Sequence, residues 1–297
     1  MRLHSFVCLF LPALASWLQV LSAQPLAPPP PDSVRTALAA DSLPHVAWWQ
    51  VAPAPTVPRT GLVLGAGVSS AGLEYVRRLA DDRRLTGPFS VRFDWSYARW
   101  ADKPGHVYSS QVLSTAFATG YRWAGYGPRR AALLGAATGF AGMVYYETLD
   151  GFGRNEHFSP GDIAANAIGA GLVAARAHVP ALDAVHLKVS YWPSGDPCDP
   201  SCDYEGQIAW LAVNPRALGA HPLPPWLNVA AGYAVRDGDI RYGFDESHVL
   251  VGLDLEPAGL PIRGKLWDAL VPWLRFVHFP APAVRITPRP RFLLLAY

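Results

Sequence analysis

The stretch Ser159-Pro160-Gly161-Asp162-Ile163-Ala164-Ala165-Asn166-Ala167-Ile168-Gly169 reads as the start of a helix. Ser159 suits the N-cap, Pro160 the first helical position and Asp162 the third, a variant of the capping box. The pattern runs to about His178, and Pro180 ends it. Asp162 suits the positive end of the helix dipole without further function. Asn166 does not: it is a poor helix former in an alanine-rich helix, so it is expected to bridge to a neighbour.

Two similar segments precede it. From His106 to about Tyr126 the pattern is helical, with Asp102 as the cap candidate, Pro104 in the first turn and Gly125-Tyr126-Gly127-Pro128 as the stop. A second helix runs from Arg129 to about Leu149, stopped by Gly151 and Gly153. A further helix over about Ala71 to Arg84 and a short strand over Phe89 to Phe93 precede these. The run Gly65 to Ala71 resembles a degraded dinucleotide loop, but it lacks the third glycine and no strand–helix alternation follows, which disfavours a Rossmann fold. The alternative is a helix, buried or membrane-embedded, whose small residues allow close packing.

Beyond residue 184 the periodicity changes to that of strands. His186–Trp192, Gln207–Val213, Leu227–Val235, Val249–Leu255 and Arg291–Tyr297 are expected strands, with a helix over about Gly264 to Phe276 between the last two. Their alternation echoes outer-membrane strands, but about five are too few to close a barrel. The expected fold class is α+β: an N-terminal bundle of about three to four helices, then a β-rich C-terminal half. The expected divisions are a signal peptide over 1–23, a Pro-rich tether over 24–57, a helical core over 58–183 and the β-rich region over 184–297.

The chain has 297 residues, 51% of them hydrophobic and only 16% charged, which suits an envelope or membrane-associated protein better than a cytosolic enzyme. With a net charge of +2 and no long basic run, nothing points to nucleic acid. The expected partners are membrane or envelope components. Arg2 and the apolar run Phe6 to Leu21 form the signal, cleaved after Ala23 or Ala15; an uncleaved anchor is the other reading. Cys8 follows Ser5-Phe6-Val7, a poor lipid-attachment box. Cys198 and Cys202 are the remaining cysteines, and in an oxidising compartment a small-loop disulfide is the expected pairing.

The polar residues of the helical half are spaced for convergence. Asp102 and His106 are four apart, as are Asp162 and Asn166, while Glu147 and Asp150 are three apart. With Lys103 they form a candidate cluster between helices, and three readings of it stand. It is a structural lock, with carboxylates paired to Lys103. It is an acid–base site, with His106 as base and Glu147, Asp150 and Asp162 as candidate catalytic carboxylates. Or it holds a divalent metal through His106, Glu147 and a further carboxylate. No cofactor motif is evident: Gly-x-Ser-x-Gly, His-Glu-x-x-His and a lysine-bearing phosphate loop are all missing.

At these residues the chain resembles a known family. The order Phe93-Asp94, Trp100, Asp102-Lys103-x-Gly105-His106, Glu147-x-x-Asp150-Gly151-Phe152 and Ser159-x-Gly161-Asp162-Ile163-Ala164-x-Asn166-x-x-Gly169 is similar to the YfiM-like family of predicted periplasmic lipoproteins. Asp203-Tyr204-Glu205-Gly206-Gln207, Pro225-Trp226-Leu227-Asn228 and Phe279-Pro280-Ala281-Pro282 are similar to its longer members, so the resemblance spans roughly residues 90–297. The helical half is also similar, more loosely, to VanZ-like membrane proteins. The resemblance implies an envelope location and a helical core around the polar set, and no reaction.

Overall fold

The computed structural model describes residues 54–80, 85, 87–195, 200–239 and 243–296. The signal-peptide expectation and nearly all of the tether lie outside the described residues, as does Cys198 of the expected Cys198–Cys202 pairing.

Among the described residues four helices come first: α1 (Val57–Ala80), α2 (Asp102–Trp123), α3 (Pro128–Gly151) and α4 (Pro160–Arg176). Ser159 caps α4 as its sequence indicates, accepting from the Asp162 amide, with Pro160 at the first turn. Asp102 is not the cap of α2; the N-cap is Ala101, which makes no side-chain capping bond, and Asp102 turns inward instead. α1 begins well before the expected Ala71 and carries the glycines of the supposed dinucleotide loop inside it. Over Phe89–Phe93 there is only an isolated bridge, Val91 to Phe158, in place of a strand. No helix among the described residues is long and apolar enough to cross a membrane.

α2, α3 and α4 pack on one another through small residues. A Cβ at Gly135 would lie 2.5 Å from that of Ala118, so only glycine permits this approach of α3 to α2. Buried Tyr121 fills the space above and pairs with Thr138 at 2.9 Å. α1 lies against α2 through Val63 and leaves Leu62, Val68, Leu73 and Val76 exposed.

The second half is a six-stranded antiparallel meander in chain order: β1 (Val185–Tyr191), β2 (Gln207–Val213), β3 (Leu227–Asp239), β4 (Gly243–Leu255), β5 (Ala281–Arg285) and β6 (Arg291–Ala296). A short helix, α5 (Lys265–Leu274), separates β4 from β5. The α+β class and the order of the halves agree with expectation. β5 was not anticipated, because Pro280 and Pro282 disfavour a strand inside a sheet.

The sheet is rolled. Val277 pairs with Val189 beyond the outer edge of β1, and β5 starts at Ala281. In a flat sheet those positions would stand five strand spacings apart, ~24 Å. The four Cα–Cα steps between them reach only ~14 Å. The inner face therefore curls on itself, which brings Lys188 of β1 within 2.6 Å of Asp254 of β4. That face holds Trp210, with His278 stacked on it at 4.0 Å, among Ala212, Ala230, Ala234 and Leu250.

Candidate functional site

The start of α2, the end of α3 and the start of α4 meet in one buried polar cluster. Lys103, at the first turn of α2, is its centre. Its Nζ lies 2.8 Å from Asp102 and 3.2 Å from Asp94, and it also donates to Asp162. Three ammonium donors thus meet three carboxylates. Gly161 makes room: a Cβ there would lie 3.2 Å from Lys103 Cε. Ser159 Oγ, besides capping α4, donates to Asp94, and its amide donates to Glu147 at 3.4 Å.

His106 stands one turn along α2. Its Nε2 lies 3.5 Å from Asp102 and 3.6 Å from Asp162, and its Nδ1 lies 3.5 Å from Glu147 and 3.3 Å from Asn166 Oδ1. Asn166 does bridge helices as expected, and its backbone carbonyl also accepts from Ser110 at 2.7 Å. The Asn166 side-chain Nδ2 has no hydrogen-bond partner among the described residues. Glu147 takes His106 and the Ser159 amide, not Lys103, as partners.

Asp150 does not join this group. It pairs with Arg78 of α1, which also holds Glu74 at 2.7 Å and Glu156 at 3.2 Å. A step of three from Glu147 carries Asp150 toward α1 rather than toward α2 and α4. Burial and Glu156, only partly offset by Arg78, raise its carboxyl to about 7.

Two members of the cluster were absent from the candidate set. Asp94 precedes α2, in a turn where Ala98, Arg99 and Trp100 all adopt positive φ. Each such residue is strained by about 1–3 kcal/mol, so the surroundings must hold the turn in place. Tyr204, in the loop before β2, donates to Asp102 at 2.6 Å. Arg99 reinforces this link between the halves, reaching Ser247 at 2.9 Å and the Phe244 carbonyl at 3.2 Å. The only sequence signal for Asp94 and Tyr204 lay in the motif order itself.

The electrostatics follow from burial and crowding. Burial opposes ionisation of Asp102, but His106 and Lys103 more than offset it and hold the carboxyl well below its usual range. Burial would lower His106; Asp102, Asp162 and Glu147 together raise it to about 9. Burial raises Glu147 to about 8, aided by Asp162 and Asp150 and opposed by His106 and the Ser159 amide. Burial and Asp102 raise Asp162 to about 6 against the pull of His106 and Lys103.

These shifts set a pH dependence. His106 binds a proton more tightly folded than at its ordinary 6.5, so its contribution is full below pH 6.5 and lost as pH rises through 9. Glu147 acts in the same direction, from its ordinary 4.5 up to about 8. We expect the melting temperature to fall between pH 6.5 and 9, and His106→Gln to flatten that fall. An unchanged slope in the variant would show that His106 is not its source.

Asp102, His106 and Asp162 each offer a ligand atom within 4.8 Å of the others, a set able to hold a divalent cation. Lys103 already places a positive charge against two of the three.

The family model described as Predicted periplasmic lipoprotein (DUF2279) matches residues 93–178, from the turn before α2 to just past the end of α4. The match covers the helices that build the cluster and stops before the sheet. It puts the chain in the cell envelope, on the periplasmic side, as the sequence suggested. No curated protein and no solved structure matches the chain.

Proposed function

We propose that this envelope protein has a structural or binding role, with the Asp/Lys/His/Glu/Asn cluster as a lock that fixes three helices and ties them to the sheet. The observation that carries this is the saturation of Lys103 by Asp94, Asp102 and Asp162, with Tyr204 joining Asp102 from the C-terminal half. A buried ammonium with a carboxylate for each donor is neutralised and has no coordination left to offer. The residues of the YfiM-like motif are those that make these bonds, which supports that closer resemblance as part of the same reading.

The test is a double-mutant cycle on Asp102→Asn and Tyr204→Phe in urea unfolding. A bond to a charged acceptor predicts a coupling of about 1.5–3 kcal/mol. A coupling near zero would sink the lock as a link between the halves.

A second reading, an envelope hydrolase or other metal-dependent enzyme, is favoured by one observation, the Asp102–His106–Asp162 triplet. Zinc or manganese that raised the melting temperature of the parent, and not of His106→Ala, would support it. No shift in the parent is the outcome expected of the lock.

A further inference from the structure

The sheet departs from the usual sidedness of a soluble antiparallel sheet: its inner face mixes an apolar cluster with charge, and its outer face is apolar. Soluble sheets bury apolar side chains and turn charge to water. Here the charge of the strands falls on inward positions: Lys188, Asp254 and Arg285 among them. Lys188 and Asp254 are wholly enclosed, joined at 2.6 Å, with Asn228 bonded to the same carboxylate at 2.9 Å. The outward positions of Val185–Tyr191, Gln207–Val213, Leu227–Tyr233, Val249–Leu255, β5 and β6 include no charged residue; beyond them Val235 is buried against Tyr204, and the β3–β4 hairpin carries exposed Asp237 and Asp245. Leu211, Val229, Val251, Leu253, Val284 and Phe292 are all exposed there, Phe292 at 64% and Leu294 beside it at 69%. A contiguous apolar surface of this kind marks a place of contact.

The geometry points to a lipid bilayer surface as what this outward face rests on. An apolar outward face is what strands present to acyl chains. The roll makes the face convex, and two convex faces meet along a line, whereas lipid chains conform to the curve. The charge at the rim is complementary: Arg289 and Arg291 lie at the β5–β6 turn, and residues 269–297 contain no acidic residue. Arg289 and Arg291 are exposed in the β5–β6 hairpin, beside Phe292, where anionic headgroups would meet them. β1, β2, β5 and β6, at five to seven residues, are shorter than the ~9–11 needed to cross a bilayer. The face therefore sits in one leaflet and does not span. This inference stands apart from the lock and does not rest on it.

The experiment places a fluorescent probe on the face in the full chain. Val251→Cys and Leu294→Cys are labelled with an environment-sensitive dye, and the identically treated parent is subtracted to remove its own cysteines. The protein is mixed with vesicles of phosphatidylethanolamine and phosphatidylglycerol at a 3:1 ratio. Both probes are expected to lose quenching by aqueous iodide and to gain quenching by nitroxides on the acyl chains. Adding Val229→Thr and Leu253→Thr to the Leu294→Cys protein is expected to restore iodide access, with far-UV circular dichroism confirming the fold. The inference is overturned if the probes stay open to iodide on bound protein, or if the chain does not bind the vesicles. It is equally overturned if concentration alone shields the probes without lipid, which would assign the face to a second copy of the chain. Full acyl-chain quenching in the threonine variant would overturn it too.

Discussion

Lys103→Met is expected to cost about 3–5 kcal/mol of stability, because it strips the shared cation from carboxylates that stay buried. For a chain of this size that is a fall in melting temperature on the order of 10 °C. Asp94, Asp102 and Asp162 all face Lys103, and Tyr204 then has a crowded, uncompensated carboxylate as its acceptor. The deficit should narrow as the pH is lowered through the carboxylate range, since protonation removes the charges that lost their partner. Thermal unfolding at pH 7 and pH 5 measures both effects. A loss below about 1 kcal/mol at pH 7 would mean that Lys103 acts as a surface charge does. A deficit that grew with acid would contradict the assigned electrostatics.

Asp254→Ala is expected to cost a similar amount for a different reason. It leaves the Lys188 ammonium, 0% exposed, with the Leu255 carbonyl at 2.7 Å as its remaining acceptor. It also removes the acceptor for Asn228, which in turn accepts from Asn214 at 2.9 Å. Pairing the change with Lys188→Met should recover much of the loss, because an apolar pair can replace a buried ion pair at little cost. Urea midpoints of the two variants decide it. If the double variant is no more stable than Asp254→Ala, the uncompensated ammonium is not what destabilises the single variant.

The two networks explain what could be read early and what could not. The start of α4 was legible because a cap is a bond between residues three apart, and Ser159, Pro160 and Asp162 carry it wherever the helix docks. Convergence of Asp102, His106, Glu147, Asp162 and Asn166 was legible as a possibility, since their spacing places them within one turn of each other on their own helices. Asp150 shares that kind of spacing and goes elsewhere, because Arg78 of α1 offers it a cation and no local signal records which neighbour a helix face will meet. Asp94 and Tyr204 sit in turns, where no periodicity announces the direction of a side chain. The Gly65–Ala71 run shows the converse, glycines that resemble a loop yet lie inside a helix.

The sequence by itself determined the division into a helical half and a β-rich half, because the 3.6-residue and 2-residue periods and the caps are properties of neighbouring residues. It also pointed to the envelope, through sparse charge. Tertiary structure alone decided which carboxylates share Lys103 and which pairs with Arg78. It alone decided the sidedness of the sheet: alternation separates two faces of a strand but does not say which one is enclosed. The three-residue link from His278 to β5 rolls the sheet around the face that holds Trp210 and the Lys188–Asp254 pair, and that closure leaves the other face outside.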